Sequence, residues 1–149
     1  MQLEFSGAPE ITAPQARVWE RLMDPDFVAA SAPGVQSVER VDPTHFRVIS
    51  GLGVGPLRVS FQLDVELSDI VAPERLRMTA LGRAAGSAVD TVSSVRLEPL
   101  GERRTRLAWT ATVAVSGAVA GLGARLLEGT ARRMTQDFWA DFARRVSAG

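Results

Sequence analysis

The chain has 149 residues, 17 basic and 17 acidic side chains, an apolar fraction of 46% and no cysteine. Zero net charge argues against nucleic-acid binding, which draws on excess positive charge. Without Cys there are no disulfides, thiolate metal sites or Cys nucleophiles, and the absence of Lys and Tyr removes Schiff-base chemistry and a phenolic acid.

In chain order, Leu3 and Phe5 alternate with Gln2 and Glu4, which predicts a first strand continuing to about Ile11. The N-terminus has neither a charged leader nor an apolar run, so no secretion signal and a cytoplasmic location are expected. Ala13-Pro14 opens a short helix with Val18 and Leu22 on one face, and Asp24-Pro25 caps a second that runs to about Ser31. Six strands follow, at about 35–41, 46–50, 57–67, 75–81, 88–97 and 105–115, separated by Gly- and Pro-bearing connections. In the longest of them Leu57, Val59, Phe61, Leu63, Val65 and Leu67 alternate without a break against polar residues, so one sheet face is dry and the other wet.

The chain closes with one long helical stretch, roughly Ala118 to Val146, on the order of 40 Å at ~1.5 Å per residue. Its apolar side reads Val119, Leu122, Leu126, Leu127, Met134, Phe138 and Phe142. A stripe that winds slowly around the cylinder in this way suits a twisted sheet. The expected architecture is therefore α+β: a seven-stranded curved antiparallel sheet wrapped around the long helix, as a single domain over residues 1–149. The charge-free stretch Leu107 to Ala124 approaches the length of a membrane span, but Ser116-Gly117 divides it between a strand and a helix, and no continuous spanning helix results. Residues 1–100 carry a net charge of about −4 and residues 101–149 about +4. An anionic membrane surface or acidic partner would thus be met by the last third, whose Arg132, Arg133, Arg144 and Arg145 also complement the helix dipole.

His45 is the only imidazole and follows the turn Asp42-Pro43-Thr44, which favours a surface role. The carboxylates stand singly on polar strand faces, so no metal constellation or cofactor site is read. Gly51-Leu52-Gly53-Val54-Gly55-Pro56 leads into a strand and lacks the Lys and Ser/Thr of a phosphate loop. It reads instead as a flexible apolar flap, which with Gly82 to Gly86 and Gly117 to Gly123 would ring one end of the space under the helix. If Val89, Val95 and Leu97 face the helix, Thr91 and Ser93 face it too, and a few hydroxyls among apolar walls are the anatomy of a small-molecule site. The candidate walls are Phe61, Leu63, Met78, Val95, Trp109, Leu126, Met134 and Phe138, with Thr91 and Ser93 orienting a polar end. The alternatives are a cyclase- or dehydratase-like enzyme using Asp64, Asp90 or His45 as acid or base, and an assembly factor with a filled interior.

The order strand, two short helices, six strands and a long helix resembles the helix-grip fold of the START-like superfamily, which includes pathogenesis-related allergens and polyketide cyclases. Ala13-Pro14 with Val18-Trp19, Leu22 and Asp24-Pro25, then Ala32-Pro33-Gly34, Gly55-Pro56, Thr105-x-Leu107-x-Trp109, Gly117 to Leu126 and Phe138 resemble the carbon monoxide dehydrogenase G-subunit family. That resemblance implies a non-catalytic accessory protein for a molybdenum hydroxylase, associated with the membrane and holding a hydrophobic molecule such as a quinone. Many relatives continue into a tail suited to membrane attachment. Here the sequence ends at Gly149, so stable anchoring is not expected.

Overall fold

The computed structural model describes residues 1–149 except Pro33, and the side chains of Val54 and Leu57 lie outside the description. One antiparallel sheet is built from β1 (Gln2–Gly7), β2 (Glu10–Ile11), β3 (Val35–Asp42), β4 (His45–Val54), β5 (Leu57–Val71), β6 (Arg75–Ala84), β7 (Ser87–Gly101) and β8 (Arg104–Gly117). Its spatial order is β1-β8-β7-β6-β5-β4-β3, with β2 also on β8. The sheet has eight strands where seven were expected. The N-terminal strand breaks at Ala8-Pro9, since Pro cannot donate to the ladder, and both pieces pair with β8.

Two short helices, α1 (Gln15–Leu22) and α2 (Pro25–Ala29), lie between β2 and β3. Pro14 caps α1 rather than starting it, and the backbone N–H of Arg17 donates to the Pro14 carbonyl at 3.0 Å. The Asp24 side chain accepts from the N–H groups of Asp26 and Phe27 and fixes the start of α2. The long helix is shorter than its apolar run: Ala118–Leu122 form a 3₁₀ turn, Gly123 breaks it at φ +98°, and α3 spans Ala124–Ala148. Among the described residues no helix is long and apolar enough to cross a membrane.

The hairpins overrun the expected flaps. β4 continues through Gly51–Val54 and β6 through Ala84, leaving only Gly55-Pro56 and Ala85-Gly86 as turns. Strand direction puts both turns and Gly117 at one end of the sheet. There Gly117 (φ +82°) lies so close to Gly86 that a Cβ would come within 2.1 Å of the Gly86 carbonyl oxygen. Ala118 N–H donates to that same oxygen at 2.7 Å.

α3 packs closely on β1, β2 and β4 and on α1, while the middle strands stand farther off. Its C-terminal half is held by a run of aromatic contacts. Trp109 of β8 stacks on Trp139 at 6.2 Å, Trp139 meets Phe142 edge-on at 5.7 Å, and Phe142 meets Phe27 of α2 at 5.7 Å. Gly7, opposite Trp109 on β1, makes room for the indole, because a Cβ there would lie 2.6 Å from its nitrogen. The Arg145 guanidinium sits 4.0 Å over the Phe27 ring and also donates to the Phe27 carbonyl, tying α2 to the last turns of α3.

Phe142 has no exposed surface whereas Phe138 is half-buried. Phe142→Ala is therefore expected to lower the unfolding free energy by about 3–5 kcal/mol and Phe138→Ala by distinctly less, measured by urea denaturation of the two variants.

Candidate functional site

Strand register settles which side chains face the helix. Directly opposed residues share a face, and the ladder gives the rows Leu63, Gly82, Val89 and Val115; Val65, Ala80, Thr91 and Val113; and Leu67, Met78, Ser93 and Ala111. Thr91 and Ser93 thus face α3, in line with Val89, Val95 and Leu97. The bulges of β7 and β8 fall beyond this region, at Pro99/Gly101.

The concave face is not uniformly dry. Phe61, Val95, Leu97, Leu107 and Trp109 are buried, but Leu63, Met78, Ala80, Val89 and Thr91, contiguous in the middle of the sheet, are only half-buried. On α3, Ala131, Met134 and Phe138 are half-buried as well. The helix therefore does not close onto the sheet centre. The cause is legible in side-chain volume: the concave positions of β6 read Leu76, Met78, Ala80, Gly82, Ala84, and Ser93 and Ala111 continue the small band on β7 and β8. A Cβ at Gly82 would lie 2.8 Å from both a Leu63 methyl and the Val89 carbonyl oxygen, so that position is held to glycine.

Two hydroxyls, of Thr91 and Ser93, border this space from the sheet, and Thr130 is buried on α3. Thr91 is half-buried, and Ser93 and Thr130 are each 8% exposed; among the described residues none bonds to another protein group. By contrast Ser87 accepts from the Val119 N–H at 3.0 Å and Thr105 donates to the Ala13 carbonyl at 2.8 Å, both in structural roles. Among the described residues, no concave position of β4 to β8 carries an ionisable side chain.

The other sequence-derived residues fall as follows. Phe61, Val95 and Trp109 lie in the packed part of the concave face, and Leu63, Met78, Met134 and Phe138 in the half-open part. Leu126 is 38% exposed and lies against Gly55 of the β4–β5 turn, while its neighbour Leu127 takes the buried position. Leu126 and Phe142 were read on one apolar side, but at ~100° per residue they stand about 160° apart around α3. The buried line of α3 is Leu127, Thr130, Trp139, Phe142, Ala143 and Val146. Thr130 and Trp139 belong to that line and were not read as part of it.

His45, Asp64 and Asp90 are on the convex face, remote from the helix. His45 Nδ1 is 2.9 Å from Asp42 Oδ1, and its Nε2 is 3.6 Å from Glu66. The Arg47 guanidinium holds Asp64 at 3.1 Å, and Arg83 donates to Asp90. Among the described residues no cluster of three or more His, Asp or Glu could hold a metal ion.

A curved antiparallel sheet gripping a long C-terminal helix, with two short helices closing one end, defines this as a helix-grip protein of START-like architecture. The chain belongs to the carbon monoxide dehydrogenase G-subunit (CoxG) family, whose model matches residues 7–147. Among solved structures it is similar to a conserved protein from Geobacillus kaustophilus, with a TM-score of 0.88 and 24% identity over 98% of this chain and 96% of that one. A START superfamily protein from Mycobacterium smegmatis matches with a TM-score of 0.71 and 14% identity, covering 97% of each chain. The ZhuI aromatase/cyclase from Streptomyces sp. R1128 matches with a TM-score of 0.70 and 21% identity over 100% of this chain and 99% of that one. At these identities the likeness is one of fold. No curated protein sequence matches the chain significantly.

The hydrogen bond to Asp42 raises the His45 pKa above its ordinary value and lowers that of Asp42. A raised folded-state pKa means that the His45 contribution to stability is full below about pH 6.5 and fades as pH rises through the folded value. Asp42→Asn should bring the His45 titration, followed by NMR of the single imidazole, down toward about 6.5; an unchanged midpoint would show that Asp42 does not set it.

Proposed function

We propose that this protein is a non-catalytic binding protein that holds an apolar, quinone- or lipid-like small molecule between the middle of the sheet and α3. In keeping with its family, it would act as an accessory to a molybdenum-type carbon monoxide dehydrogenase at the membrane. The observation that carries the binding reading is the half-buried concave patch of Leu63, Met78, Ala80, Val89 and Thr91, with Met134 and Phe138 half-buried on α3. Apolar surface exposed inside a fold is recovered by an apolar guest at roughly 25 cal/mol per Å², before association costs. Met78 and Met134 are adaptable walls. Thr91 and Ser93 supply hydroxyls that among the described residues have no protein partner, suited to a carbonyl or ester oxygen at the guest's polar end.

The enzymatic alternative finds less support. Acid–base work requires a titratable group within hydrogen-bond reach of the substrate. The three candidates for that role stand on the other face of the sheet in ion pairs, and the described concave positions of β4 to β8 offer none. The reading with a filled interior is opposed by the same half-buried patch.

A short-chain naphthoquinone should quench the fluorescence of Trp109 and Trp139, which stack at 6.2 Å on the edge of this region. Ala80→Phe, which fills the space from β6, should weaken quenching by about tenfold or more. The pair Thr91→Val and Ser93→Ala should weaken it by several-fold, as expected for one or two neutral hydrogen bonds of ~1 kcal/mol each. Equal quenching of wild type and Ala80→Phe would overturn the assignment.

A further inference from the structure

The convex face carries a pair of unneutralised cations. Arg75 of β6 and Arg96 of β7 stand directly opposite one another, an arrangement that puts Cβ atoms about 4.5–5.5 Å apart and makes like charges repel. Their neighbours are neutralised: Arg77 by Asp69 at 3.3 Å and Arg106 by Glu98 at 3.4 Å. Among the described residues neither Arg75 nor Arg96 has an ion-pair partner. Ser94 and Thr110 pair in register beside them, again without a protein partner for either hydroxyl, and Ala108 opposite Arg96 keeps the floor low.

A lip completes the hollow. β5 bulges between Ser68 and Val71, and Asp69 there adopts φ +50°, the one non-glycine in the left-handed region among the described residues. The bulge leaves Ile70 and Val71 exposed at 37% and 39%. Lip and floor border a half-open concavity of about 630 Å³, within the range of small-molecule sites.

We propose that this groove binds a phosphomonoester, its phosphate bridging Arg75 and Arg96 with Ser94 and Thr110 as further donors and its organic part against Ile70 and Val71. Two facing guanidiniums call for two negative charges at one point. A phosphomonoester brings about −1.5 to −2 at neutral pH, whereas a carboxylate brings one. Guanidinium forks also match phosphate oxygens in pairs. The site is separate from the concave grip, on the opposite face of the same strands.

The test is an NMR titration of the full chain with inorganic phosphate, glycerol 3-phosphate and acetate, and with phosphatidylcholine vesicles with and without phosphatidic acid. Glycerol 3-phosphate and phosphate are expected to shift the amides of Arg75, Ser94, Arg96 and Thr110 in a saturable manner, and acetate is not. Arg75→Gln and Arg96→Gln should each weaken binding by about tenfold or more, the worth of a charged hydrogen bond, with quinone quenching and melting temperature unchanged or the latter raised. Response only to vesicles with phosphatidic acid would support the same chemistry on a lipid headgroup. Equal response to acetate, or no shift at these amides with any phosphate probe, would overturn the proposal.

Discussion

The structure depends on how α3 is held: at the flanks of the sheet, and not at its middle. The stack of Trp109, Trp139, Phe142 and Phe27, sealed by Arg145 over the Phe27 ring, fixes the C-terminal half of the helix to β8 and α2. At the other end the Gly86–Gly117 contact and the Gly123 break set where the helix starts. With both ends fixed, the distance from helix to central strands is decided by sheet curvature, and the side chains of β5 to β7 either fill that distance or leave it open.

They fill it unevenly. Toward α1 the concave face carries Leu76, Val95, Leu97 and Leu107, all buried. Toward the glycine turns it carries Ala80, Gly82 and Ala84 on the central strand, and larger neighbours on β5 and β7 remain half-buried as a result. Close packing is worth several kcal/mol per large side chain, so a band of small residues in the middle of a face that should be dry is a cost to the empty protein. A guest that supplied the missing contacts would offset it. Among the described residues the absence of ionisable groups from the concave positions of β4 to β8 makes burial, rather than charge, the main source of affinity there, and directs the functional reading toward holding a molecule instead of transforming it.

Much of this was legible in the chain because strand alternation is a strict period of two. The unbroken pattern from Val59 to Leu67, and the placement of Thr91 and Ser93 with Val89 and Val95, followed from it. The latter depended on β7 running without a bulge until Pro99, as it does. The helix was harder, since its stripe drifts by ~40° with every step of four residues. The buried line runs through Leu127, Thr130 and Trp139 and leaves Leu126 outside. Glycines in Gly51–Gly55 and Gly82–Gly86 suggested flaps, yet ladder pairing carried most of both segments into the strands. The meeting of Arg75 with Arg96 could not be read at all, because it is a property of register between strands whose pairing the sequence does not state.

The central claim is that the half-open middle of the grip is a place for an apolar guest. Native mass spectrometry of the protein purified from its own host tests this most directly. The account predicts a stoichiometric apolar adduct, quinone or lipid in kind, that is released on unfolding. A bare protein mass, together with failure to take up such compounds when they are offered, would contradict it and return the interior to the role of an ordinary core.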